Sequence, residues 1–433
     1  MRMKYIKKQT TDNLNINWKS FYRNVFALVI PMAIQNLINV GVTAADVIML
    51  GKVGEKVLSG ASLAGQIQFI MTLLFMGITS GATVLTAQYW GKKDTRTIEK
   101  VLGMGLSAGI VTAVLFAAAA LFIPEQLMHI YSSDPEVIAE GVKYLRIVGS
   151  SYLFMAVTQV YLNIMRSIER VLIATFVYSI SLLVNIAVNA LLIFGLMGFP
   201  AMGIRGAAVG TLIARITEMV IVLLYAFVHN KLVRIRFRDL IRIDKVLFRD
   251  YMTYAMPVVL NEVMWGLGSS ANTAIIGHLG SAAVAANSVA QVARQLATVV
   301  VFGIAHAAAI YLGKTIGERK LEYAKAYAKR FIWLSVIIGA AGGAVILIAA
   351  PLANASLALT GQAKGYLTFM FFVMSYFTVA QSLNGTMVIG IFRSGGDTKF
   401  GLIMDVSTMW GCSIIIGAVA AFVFHASVPV VYV

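Results

Sequence analysis

Residues 31–54, PMAIQNLINVGVTAADVIMLGKVG, recur 226 positions later as residues 257–280, PVVLNEVMWGLGSSANTAIIGHLG. Pro31 returns as Pro257, Gly51 as Gly277 and Gly54 as Gly280. Both stretches are apolar and exceed the roughly 20 residues needed to cross a bilayer. The duplication continues outward: Tyr89, Gly91 and Lys92 find matches in Tyr311, Gly313 and Lys314, and Arg166 with Ser167 matches Arg393 with Ser394. Two like halves in a membrane predict a machine that opens between them.

The composition agrees. The 433 residues are 59% hydrophobic and 12% charged, with a mean hydropathy of +0.82, outside the soluble globular range. Eleven stretches read as spans, near residues 23–50, 58–89, 97–123, 137–165, 171–196, 204–229, 250–276, 283–312, 327–350, 365–392 and 400–424. A twelfth begins at Val428, where Pro429 matches Pro200, and is only begun in this chain. The expected fold is an all-α membrane protein of two pseudo-symmetric six-helix lobes. Its parts are an N-terminal tail (1–22), an N-lobe (23–229), a basic linker (230–249) and a C-lobe (250–433). The first apolar stretch is too long for a signal-peptide core, so it is expected to remain as the first span.

Positive charge resists translocation, and 27 of the 35 Lys and Arg residues fall on alternate loops. Those loops and the N-terminus are expected in the cytoplasm, which places a multi-pass protein in a bacterial-type inner membrane. The net charge of +16 is then a topology signal and a contact with anionic lipid. Basic residues dispersed around helices, without a nucleic-acid fold signature, exclude nucleic acid as a partner. The linker, KLVRIRFRDLIRIDKVLFRDY, alternates basic and apolar residues and reads as a hinge strip along the headgroups. Cys412 is the only cysteine, which excludes an intramolecular disulfide and a cysteine metal site. It reads as a small packing residue.

Charged and polar groups inside spans are costly and point to a task or a partner. Asn36, Asn39, Thr43 and Asp46 lie within an arc of about 80° on an α-helix. Glu262, Trp265, Ser269 and Asn272 occupy the same positions in the second half. Both stripes should face inward, because lipid offers them no hydrogen bonds. Asn185 and Asn189 share a helix face, and Thr211 follows on the next helix. With Asp46 they form an all-oxygen set of the kind a hard cation prefers, so Na⁺ can sit at Asp46, Asn185 and Asn189. A proton on Asp46 serves equally well.

The other intramembrane charges carry weaker signals. Arg215 and Glu218, three apart, should pair. Arg294 is a candidate counter-ion to Glu262, Asp405 a candidate partner of the RSGGDTK loop, and His306 a packing residue. Met71, Phe75, Met76 and Trp265 would suit a cavity that accepts many shapes.

The chain resembles the multidrug and toxic compound extrusion (MATE) transporters. The motifs are the paired stretches quoted above, AQYWGKK after the second span and IFRSGGDTKFG after the tenth; their order and duplication are more specific than any one alone. The resemblance implies twelve helices in two lobes, alternating access, and export of small organic cations in exchange for Na⁺ or H⁺, with no resident cofactor. Asp46 matches the acidic residue of the first helix that binds the coupling ion, with Asn185 and Thr211 as its polar partners. Asn189 stands where one branch has a second aspartate and the NorM-like branch has asparagine. Glu262 matches the seventh-helix glutamate of that NorM-like branch. Its tenth-helix aspartate is replaced here by Ser382, for which Asp405 on the neighbouring helix is a substitute.

The alternative reading is a lipid-linked sugar or lipid flippase of the same superfamily. It should show a strongly basic cavity, for which only Arg294 and Arg215 are available. An enzyme is excluded by the absence of a zinc or paired-aspartate motif, and a channel by the absence of a filter-like loop. A working cleft within one chain predicts a monomer.

Overall fold

The computed structural model describes residues 16–241, 244–279, 281–356 and 361–432, and the regular elements among them are helical. Eleven helices are long: α1 (Trp18–Gly51), α2 (Glu55–Gly91), α3 (Thr95–Phe122), α4 (Pro135–Ser167), α5 (Leu172–Phe194), α6 (Ile204–His229), α7 (Lys245–His278), α8 (Ser281–Gly317), α9 (Leu321–Ser356), α10 (Gly361–Gly395) and α11 (Thr398–Phe422). Short helices occupy Pro124–His129, Phe237–Ile241 and Val428–Tyr432. Most of the basic N-terminal tail lies outside the described residues.

Ten of these helices are long and apolar enough to cross a membrane, one fewer than the eleven spans read from sequence. The exception is α7, which is as long as α1. Its polar run of Asn261, Glu262, Ser269, Ser270 and Asn272 lowers its apolarity below that of its neighbours.

The repeat is visible in the helix ends. Helices α2 and α8 each have 37 residues, and both are followed by a residue with left-handed backbone, Lys93 at φ 60° and Arg319 at φ 61°. Gly91 therefore corresponds to Gly317. The sequence match of Tyr89, Gly91 and Lys92 to Tyr311, Gly313 and Lys314 is one helical turn out of register. Glycines at both 313 and 317 made the slip invisible, because residues four apart share a face. A second irregularity is the wide π-helical turn at Thr386–Phe392. It absorbs the one extra residue that separates Arg393 from Arg166 by 227 positions rather than 226.

Helices in lipid associate through small residues that let backbones approach. The two halves meet in this way along their basic-loop ends. A Cβ on Gly91 would collide with the Lys314 carbonyl, one on Gly317 with the Gln88 carbonyl, one on Gly81 with Ala255 and one on Gly77 with Val259. Polar links follow the same seam. Lys314 Nζ lies 2.9 and 2.7 Å from the Glu169 carboxylate, Trp90 Nε1 donates to Glu169 at 3.1 Å, and Gln88 Nε2 donates to the Ser394 carbonyl at 2.9 Å. Tyr251 donates to the Ile78 carbonyl at 2.9 Å.

The linker is pinned rather than free along a surface. Arg96 on α3 grips Asp239, with Nη2 to Oδ1 at 2.8 Å, while Glu99 takes Arg236 at 2.8 Å and the Arg234 N–H at 3.1 Å. Ser107 donates to the Leu240 carbonyl at 2.8 Å, and Val233 is fully buried in the first-half core. Val233, Ile235 and Leu240 pack on the first-half core, while Leu232, Phe237, Val246 and Phe248 remain exposed. Cys412, read as a packing residue, is exposed, on a helix that meets α7 through Asp405 and Trp410.

Candidate cation site

Asp46 lies near the end of α1 remote from the basic loops, and α5 brings Asn189 against it: Asn189 Nδ2 donates to Asp46 Oδ1 at 2.6 Å and to Asn185 Oδ1 at 3.2 Å. Both asparagines are buried, as is Thr211. Gly210 is required for this geometry, since a Cβ there would coincide with Asn189 Oδ1. That oxygen is buried with no hydrogen-bond partner. An orphaned acceptor is costly in a dry interior; the amide nitrogen of the same side chain is the group that meets the Asp46 carboxylate and the Asn185 oxygen. The carboxylate, amide and hydroxyl oxygens of Asp46, Asn185, Asn189 and Thr211 are of the kind a hard cation prefers. Tyr144 on α4 lies close to Thr211 and Asp46. Nothing in the sequence pointed to Tyr144, because its helix face becomes relevant only once α4 packs on α6.

The second acid has a different environment. Glu262 Oε1 is 3.0 Å from Arg393 Nη2, and the same guanidinium donates from Nη1 to Ser80 Oγ of the opposite half at 3.0 Å. Glu262 and Arg393 are both buried. The expected counter-ion, Arg294, instead folds back on its own helix and donates twice to Gln291 Oε1, at 3.0 and 2.6 Å. Asp405 takes the amide of Asn261 at 3.0 Å and that of Asn384 at 2.9 Å, so it joins α7 to α10 beside Glu262 rather than bonding to the loop.

The stripes read from sequence divide between contact and gap. Asn36 donates across the seam to the Val299 carbonyl at 3.2 Å, so this face of α1 looks toward the other half. Asn39 and Thr43 on the same face are exposed, as are Asn272 and, at 40%, Trp265, while Ser269 is half-buried. The halves therefore touch at the basic-loop end and separate toward the other. Ser382 does not line that gap: it is fully buried and donates to the Ser335 carbonyl at 2.7 Å, because Gly339 on α9 admits it. Met71 and Phe75 are core residues of the first half and not cavity lining; Met76 is exposed. Arg215 holds Glu218 at 2.9 Å, as the spacing predicts.

A duplicated helical membrane protein, whose halves meet at one end and part toward the other, with an acid in an oxygen-rich cluster, has the architecture of a secondary transporter. The chain belongs to the MATE family: the profile of that family, MatE, matches residues 31–191 and 257–419. It is a transporter and not an enzyme. Among curated proteins it is similar to "Probable multidrug resistance protein YoeA" of Bacillus subtilis (strain 168), 22% identical over 91% of this chain and 86% of that one. It is likewise similar to "Probable multidrug resistance protein NorM" of Rhizobium meliloti (strain 1021), 25% identical over 91% and 85%. The fold is shared with a solved structure described as "Outward-facing conformation of a multidrug resistance MATE family transporter of the MOP superfamily", with a TM-score of 0.85 at 20% identity, covering 95% of this chain and 90% of that one.

Proposed function

We propose that this protein exports small organic cations by antiport, with Asp46 carrying the coupling Na⁺ or H⁺. The observation that supports this most is the polar cluster at Asp46, where the buried Asn189 amide bridges the Asp46 carboxylate and the Asn185 oxygen and keeps its own oxygen unpartnered. Twelve spans would form two six-helix lobes, 23–229 and 250–433, of which Val428–Tyr432 begins the last. The linker 230–249 and the N-terminus would lie in the cytoplasm of a bacterial-type cell, and a single chain would hold the whole pathway. The seam between the halves is then the cytoplasmic seal, and the gap lined by Asn39, Thr43, Trp265 and Asn272 the outward vestibule.

Occupation of the carboxylate and of the cavity by the drug would be mutually unfavourable, so an ion entering from outside drives the drug out. One charge crossing 100 mV is worth about 2.3 kcal/mol, enough for a drug gradient of roughly fifty-fold. A flippase reading has less support, because the arginines available for a phosphate are engaged: Arg215 by Glu218 and Arg294 by Gln291.

The test uses proteoliposomes with separately imposed sodium and proton gradients, reading ethidium export. Asp46→Asn is expected to reduce gradient-driven export at least ten-fold while leaving the protein folded. Full coupled export by Asp46→Asn would defeat the assignment.

A further inference from the structure

Arg393 is the one arginine whose guanidinium touches both an intramembrane carboxylate and the opposite half among the described residues. Its two ends are used separately: Nη2 on Glu262 and Nη1 on Ser80 Oγ, each at 3.0 Å. The next residue is tied to the same helix, since the Ser394 carbonyl takes the Gln88 amide. Around this point the backbones are too close for water, with Gly81 against Ala255.

The repeat supplies an internal control. The positions corresponding to Glu262, Arg393 and Ser80 are Asn36, Arg166 and His306. Asn36 is spent on the Val299 carbonyl. Arg166 donates to Asn163 Oδ1 at 3.3 Å and lies over the Tyr178 ring at 5.9 Å. Among the described residues no carboxylate holds it, although the helices are arranged alike. The clasp is therefore a property of these side chains and not a requirement of the fold.

We propose that Arg393 is an internal cation that fastens the two halves while Glu262 is ionised and empty, and that an external cation or proton taken up by Glu262 releases them. The reasoning is electrostatic. A buried guanidinium is tolerable beside a carboxylate, but once that carboxylate is neutralised it becomes an unpaired charge in a dry seam. Ser80 contributes only a neutral acceptor, and the titratable side chain of His306 on α8, also close to this guanidinium, offers it no counter-charge. The charge can regain hydration only if the halves part, which turns occupancy of Glu262 into opening of the sealed end. Arg393 is thus a positioning residue that acts through Glu262. The proposal rests on the transport reading above, yet its test needs no drug and leaves Asp46 untouched, so either can fail alone.

The experiment places spin labels at Lys92 and Arg319, both exposed at the sealed end, in a Cys412→Ser background. The labelled protein is reconstituted in nanodiscs and the distance distribution is recorded with and without Na⁺ at two pH values. Glu262→Gln should raise the separated population at least ten-fold without any added cation. The double variant Glu262→Gln/Arg393→Gln should restore the short distance and abolish its response to cations. The proposal is overturned if Glu262→Gln keeps the wild-type distribution, or if the double variant stays as separated as the single one. Recovery in the double variant also excludes misfolding as the cause of the first effect.

Discussion

Gly317→Val and Gly91→Val are each expected to stop transport by preventing the halves from closing, while leaving the helices of each half intact. Both glycines lie with a backbone carbonyl of the other half where a Cβ would be, Gln88 for one and Lys314 for the other. Neither neighbour is a flexible side chain end that could move aside. Overpacking of this kind costs about 1–3 kcal/mol in cores able to adjust, and a seam of two rigid helices adjusts less. A bias of about 1.4 kcal/mol already changes a two-state ratio ten-fold. The expected result is a ten-fold or greater loss of export, with the melting temperature in detergent changed little. Export at the wild-type rate from either variant would mean that the seam is not a closed state the cycle must visit.

The second large effect concerns stability. Glu218 is 2% exposed and is held by Arg215 Nη1, 2.9 Å from each carboxylate oxygen, with Ser181 Oγ at 2.6 Å. Arg215→Met leaves a buried carboxylate with one neutral donor. Removing one partner of a buried pair typically costs about 3–5 kcal/mol, whereas replacing both by apolar groups is often neutral. Arg215→Met is therefore expected to lower the melting temperature sharply, and Arg215→Met/Glu218→Leu to recover most of the loss. Thermal unfolding of the purified variants checks both. Equal destabilisation by the single and double changes would contradict the account, since the cost would then come from packing and not from the stranded charge.

What the sequence disclosed and what it hid follow from the range of the interactions involved. The helical spans and the shared face of Asn185 and Asn189 rest on short-range periodicity, since a helix face is readable four residues at a time; the duplication is read from self-similarity, and the joining of Asp46 to the two asparagines is implied by the family resemblance. The register of α8 against α2 was not readable, because glycines one turn apart give the same pattern. Arg393 reads in the sequence only as the repeat match of Arg166 and as part of a loop motif, not as the partner of Glu262. It lies in the last turn of α10, directly after the π-helical turn at Thr386–Phe392, and only the assembled fold brings it to Glu262. Ser382 and Met71 illustrate the opposite error: polarity or softness in a span suggests a cavity, but only packing shows which side of the helix is covered. Wide turns of the π type recur at functional sites, and here the turn delivers an arginine to the seam.

The most direct measurement of the central claim runs the exchange backwards. In proteoliposomes with no initial ion gradient, a steep gradient of a cationic dye should drive Na⁺ or H⁺ uphill in the opposite direction, and Asp46→Asn should abolish that movement. Dye flux through the wild-type protein without any counter-movement of either ion would contradict the account.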